Sequence, residues 1–140
     1  MRVMVLIRAR EAGETAALPG PAQREAMARF NEALMQAGIL RAGEGLQPSV
    51  KARRIVRNGA ESVVLEGPFH PSEALIAGFW LWEVRDMDEA VAWAMRCPDP
   101  VPGRYEIEIR PVTDGMNPFA EPGAGHAGSS DRLRALLAGL

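Results

Sequence analysis

The stretch RVMVLIR, residues 2–8, is apolar on both alternations, with Val3, Val5 and Ile7 on one side and Met4 and Leu6 on the other. A run this short and rich in branched residues predicts a strand with both faces covered. After a polar loop, Pro21 sits where the first turn of a helix tolerates proline, and Ala26, Met27, Phe30, Leu34 and Ala37 recur at helical spacing. Gly38 then stands where a helix stops. ILRAGEGLQP, residues 39–48, reads as an irregular strand in which Gly43 and Gly45 mark a bulge or a close backbone approach. The runs 51–57 and 60–66 form a predicted hairpin about Asn58-Gly59, a pair suited to the positive φ values of a type I′ turn.

AGFWLWEV, residues 77–84, is the most strand-like segment of all, and again both of its alternations are apolar. Asp86 with Glu89 resembles a capping box, followed by an inner stripe of Met87, Val91, Ala94 and Met95 in a second helix that ends at Cys97-Pro98. RYEIEIRPV, residues 104–112, sets Tyr105, Ile107 and Ile109 against Glu106, Glu108 and Arg110, the alternation of a half-exposed strand. The order is β, α, β, β-hairpin, β, α, β. That order predicts the α+β class, a ferredoxin-like antiparallel sheet with two helices on one face. Residues 1–113 form this domain, and residues 114–140 are expected to be an irregular linker and a short terminal helix capped by Asp131.

Two helices cover only one face, so the second apolar face of the strands at 2–8 and 77–84 needs another cover. Leaving it wet would forgo about 2 kcal/mol for each large side chain. A second copy packed sheet against sheet is the simplest solution, and a homodimer is the expected assembly.

Composition adds mainly exclusions. The formal net charge is -2, and no long basic run is present, which argues against nucleic acid as a partner. The cluster Lys51, Arg53, Arg54 and Arg57 falls on the hairpin, where charge discourages strand-to-strand aggregation. Cys97 is the one cysteine, so no internal disulfide forms and no metal-site spacing exists. No segment has the length of a membrane span, and a cytoplasmic setting without cofactor or metal is the expectation.

Several separated motifs carry a resemblance. FNEALMQAGIL, AGEGLQP, EGPF followed by AGFW, RCP and YEIEIRPV resemble, in order and spacing, the YCII-related family in its Asp-Gly-Pro-Phe branch, across residues 1–113. The resemblance implies a ferredoxin-like fold and a dimeric α/β barrel. It also implies, for some relatives, a His-Asp pair in a cleft, for one branch a lyase acting on chlorinated aromatic compounds, and, through neighbouring sigma-factor genes, a link to regulation. This chain departs from the pattern. Glu66 stands in place of the aspartate, and His70, Pro71, Ser72, Glu73 and Ala74 replace the usual Ala-Glu-Thr-Lys-Glu. The helix at 21–34 carries no histidine, so a His-Asp mechanism does not transfer.

The candidate chemistry therefore rests on this chain's own residues. Glu66 and His70 flank a Gly-Pro turn, where a carboxylate orienting an imidazole would make an acid/base pair; the alternative is plain turn chemistry with His70 in solvent. Glu44, between two glycines, is a third candidate for proton transfer, against the alternative of a solvent-facing bulge residue. Phe69 and Trp80 are candidate ligand-binding aromatics, although core or dimer packing is the better account of Trp80 and Trp82, because the strand needs those side chains anyway. Two functions follow: binding of a small organic molecule in a cleft between sheet and helices, with general acid/base chemistry of a lyase or isomerase kind, or a non-enzymatic dimeric interaction or regulatory module.

Overall fold

The computed structural model describes residues 1–9, 20–69, 75–101 and 103–113. In chain order the elements are β1 (Arg2–Ala9), α1 (Pro21–Gln36), β2 (Leu40–Gly45), β3 (Arg53–Asn58), β4 (Glu61–Glu66), β5 (Leu75–Glu83), α2 (Met87–Ala94) and β6 (Tyr105–Pro111). β2, β5, β1 and β6 lie side by side in that order, every neighbouring pair antiparallel, while β3 and β4 form a separate two-stranded sheet. The larger sheet is open and has the ferredoxin-like strand order. The expected linker and terminal helix lie outside the described residues.

The hydrophobic core sits between this sheet and the helices. Val3, Val5 and Ile7 of β1 and Trp80 and Trp82 of β5 meet Phe30 and Leu34 of α1 and Ala90 of α2. The register places Val3 opposite Trp82 and Val5 opposite Trp80, so the two indoles share the helix-facing side. Phe30 meets Trp80 and Trp82 edge-on, with ring centroids 5.8 and 6.4 Å apart. Burial of these rings is the main source of cohesion, about 25 cal/mol per Å² of apolar surface removed from water.

Local signals explain the boundaries. Gly38 has φ 73°, and its N–H donates to Met35 while that of Ile39 donates to Leu34, a Schellman closure of α1. Asp86 caps α2 by accepting from the Glu89 N–H at 2.9 Å. The second half of the capping box is absent, because the Glu89 carboxylate pairs with Arg85 instead.

Two local expectations need correction, and a third is narrowed. The buried side of α2 is Ala90, flanked by the partly buried Met87 and Ala94, whereas Val91 and Met95 face solvent. The small Ala90 lets this short helix sit close to the sheet and rotates the stripe away from the longer side chains. In the hairpin, Asn58 pairs with Glu61, so the turn residues are Gly59 and Ala60. Only Gly59 has positive φ, 61°, which fits the II′ pattern rather than I′. The irregularity in β2 falls between Leu40 and Ala42, not at the glycines.

The other face of the large sheet carries Met4, Leu6, Phe79 and Leu81, with Leu6 paired to Phe79 and Met4 to Leu81. All four are half-buried, and Arg8 ties down the margin through Glu108 at 3.3 Å and Glu106 at 4.0 Å. The hairpin is exposed along its whole length and presents Ile55, Val56, Val63 and Val64 to solvent.

Candidate functional site

A cavity of about 360 Å³ opens between the middle of α1 and the sheet where β2 meets β5. Its size lies within the range of small-molecule pockets. Met27 and Asn31 contribute from the helix, Gly43 and Trp80 from the sheet, and Pro100 from the segment after α2.

Two features of the sheet create the space. A register shift between Ile7 and Arg8 leaves Ala77 of β5 as an extra residue, and the Ala77 carbonyl accepts from Leu46 N–H at 2.8 Å. Gly43 and Gly78 then supply bare backbone. A β-carbon on Gly43 would fall 2.5 Å from Trp80 Cδ1 and 3.1 Å from Trp80 Nε1, so the indole lies directly over that glycine. The close approach expected for this stretch is thus an approach of Trp80 to Gly43.

Trp80 is fixed at its polar end. Its Nε1–H donates to Asn31 Oδ1 at 2.9 Å, linking β5 to α1 across the mouth of the core. Trp82, further in, has a fully buried Nε1–H with no partner among the described residues.

The candidate residues separate in space. Glu44 lines the same cavity as Trp80, but its register partner is Phe79, which directs it towards the opposite face of the sheet. Glu66 ends β4, is largely exposed, and faces Arg53 Nε at 3.7 Å. Phe69 lines a second, shallower hollow of about 470 Å³ at the hairpin base, with the Arg54 guanidinium 4.0 Å from its ring centroid. Glu44 and Trp80 are therefore together, and Glu66 and Phe69 are elsewhere; His70 lies outside the described residues. Gly67, beside Glu66, is held for packing reasons, since a β-carbon there would run into the Ser49 carbonyl.

Asn31 is the cavity residue that sequence reasoning passed over. Its signal was available: a polar residue four places after Met27 and next to Phe30, on the edge of the apolar stripe. Cys97 is half-buried, and burial, assisted by Asp99, pushes its thiol up to about 11, which makes it inert at neutral pH. Burial and a hydrogen bond to Asp99, 2.8 Å long, likewise raise the Tyr105 hydroxyl to about 12. Among the described residues no group of three or more His, Cys, Asp or Glu could hold a metal ion, and no helix is long and apolar enough to cross a membrane.

An open, antiparallel ferredoxin-like sheet with two helices defines an α+β domain. Residues 1–114 match the YCII-related domain, and the chain belongs to that family. An uncharacterized protein of Rhizobium meliloti (strain 1021) is 28% identical over 78 residues, spanning 56% of this chain and 63% of that relative.

Proposed function

We propose that the chain binds a small organic molecule in the cavity between α1 and the β2–β5 side of the sheet, and that it does so as a homodimer. The observation that carries the first part is the cavity itself, walled by Trp80 and floored by Gly43 and Gly78. Apolar walls with few polar groups are what such pockets use to take up ligands. Glu44 borders the cavity with its side chain directed to the opposite face, and Glu66 is engaged with Arg53 elsewhere, so the reading is one of binding, with Glu44 the bordering carboxylate that general acid/base chemistry would have to recruit. Support for the dimer comes from Met4, Leu6, Phe79 and Leu81 on the face without helices.

The test is a thermal-shift screen of small aromatic and aliphatic compounds on the full chain. Binders raise the melting temperature of the unmodified protein and lose that effect in Gly43→Val, whose side chain fills the floor. A diverse set that leaves both proteins unmoved would refute the pocket reading. For the dimer, Leu6→Glu should convert a two-chain light-scattering mass to that of one chain. A one-chain mass for the unmodified protein at micromolar concentration removes this part of the proposal.

The second reading, a non-enzymatic interaction module, is favoured by the hairpin. Ile55 and Val64 crowd one of its faces and Val56 and Val63 the other, all exposed. An isolated two-stranded sheet is marginal in water, so this arm gains from a protein surface. Loss of a co-purifying partner in Val56→Asp, with pocket binding intact, would separate the two readings.

A further inference from the structure

The cavity has one feature that narrows its ligand, on the assumption that the pocket reading above holds. Asn31 has an amide with one accepting and one donating end, and the two are told apart by what they touch. The indole Nε1–H of Trp80 can only donate, so the atom it meets at 2.9 Å must be the oxygen of Asn31. The Asn31 amide NH2 is then turned away from the indole. Among the described residues, none takes its hydrogens.

The cavity that Asn31 lines is otherwise largely apolar, with Met27, Ile7, Leu40 and Pro100 around it. Among the described residues, no arginine, lysine or histidine lines the cavity, and the one ionisable lining residue, Glu44, is directed to the opposite face of the sheet. An anionic ligand would lack a countercharge there, which makes its desolvation costly. A neutral molecule with an oxygen acceptor meets no such penalty.

We propose that Asn31 is the polar recognition residue of this cavity and that it selects neutral, ring-bearing ligands carrying a carbonyl-type oxygen, which accepts from the Asn31 amide while the ring packs beside Trp80. Trp80 has a double role in this arrangement. It is a wall for the ligand ring, and its indole N–H holds the amide in the orientation that presents the donors.

The test uses a matched pair of probes, acetophenone and α-methylstyrene, which share a shape and differ in an oxygen replaced by a methylene. Binding is followed by titrating each against the isotope-labelled full chain and reading the indole N–H signals, with Trp80 assigned from Trp80→Phe. The expected result is a preference for acetophenone in the unmodified protein of about three- to tenfold, the span of one net hydrogen bond. In Asn31→Asp, which keeps an oxygen for the Trp80 N–H and removes the amide donors, acetophenone should weaken about tenfold while α-methylstyrene stays within about twofold. Equal affinities for the two probes in the unmodified protein, or an equal loss of both in a folded Asn31→Asp, would overturn the assignment of Asn31 while leaving the pocket in place. Failure of both probes to move any indole signal of the unmodified protein at millimolar concentration would instead overturn the pocket reading, and this proposal with it. The probe pair on the unmodified chain decides the matter even where the variant does not fold.

Discussion

Gly43→Ala is the substitution that most directly probes how the cavity is built. The added methyl would lie 2.5 Å from Trp80 Cδ1 and 3.4 Å from the Phe79 carbonyl. Carbon atoms rest about 3.5–4.0 Å apart, so the indole has to withdraw by about 1 Å. It has little room, because Trp80 is buried against Phe30 and Trp82 and held by Asn31. Overpacking of this kind costs about 1–3 kcal/mol, and loss of the Trp80 to Asn31 hydrogen bond adds about 1 kcal/mol. Replacing glycine in a strand returns about 0.5–1 kcal/mol. The net expectation is about 1–3.5 kcal/mol, which lowers a urea midpoint by about 0.5–2 M at a typical slope. Urea denaturation followed by tryptophan fluorescence measures it. Gly45→Ala is the internal control, since a β-carbon there meets nothing within 4 Å and stability should hold or rise slightly. Combining Gly43→Ala with Trp80→Phe should recover part of the loss. The reasoning fails if Gly43→Ala and Gly45→Ala are equally mild, or if the two changes at 43 and 80 are simply additive.

Other expectations follow from the same packing. Leu34→Ala, at a fully buried site, should cost about 2–5 kcal/mol, while Trp82→Phe removes as many heavy atoms and should cost less, because it also removes an N–H buried without a partner; paired urea midpoints decide the order. Asp86→Ala deletes the cap of α2 and should lower stability by about 1 kcal/mol, whereas Asp86→Ser should recover most of it in the same melts. Cys97 keeps its proton in the folded chain at pH values where the unfolded thiol has lost it, so its contribution is whole below about pH 9.0 and declines as pH rises towards about 11. Alkaline unfolding curves for Cys97→Ala should show a shallower fall over that window, and iodoacetamide should label native Cys97 far more slowly than the unfolded chain at pH 8.

The large elements were legible because their physics is local. The alternation of β1 and β6, the spacing of Phe30 and Leu34, and Gly38 after α1 all encode their own outcome. The stripe of α2 was misjudged because the preference for large apolar residues overlooked Ala90, whose value lies in being small. The hairpin turn slipped by one residue because Asn58 and Gly59 suit several turn geometries and only strand pairing chooses among them. The cavity was the least legible part. Trp80 and Glu44 could be named from type and setting, but Asn31 matters only because α1 crosses β5 at that point, a long-range fact. Glu66 and Phe69 sit within a short stretch of sequence, yet the turn at Gly67 takes them to the hairpin base and away from the cavity.

The pairing of Trp80 with Trp82 has a consequence beyond cohesion. Their rings lie 5.7 Å apart with planes inclined at 35°, close enough for their electronic transitions to couple and skewed enough for the coupling to be chiral. The native chain should therefore carry an exciton couplet in its circular dichroism, a signature absent from either indole alone. That couplet would disappear with Trp82→Phe and change shape when a molecule leans on Trp80, giving the domain an optical readout that requires no label.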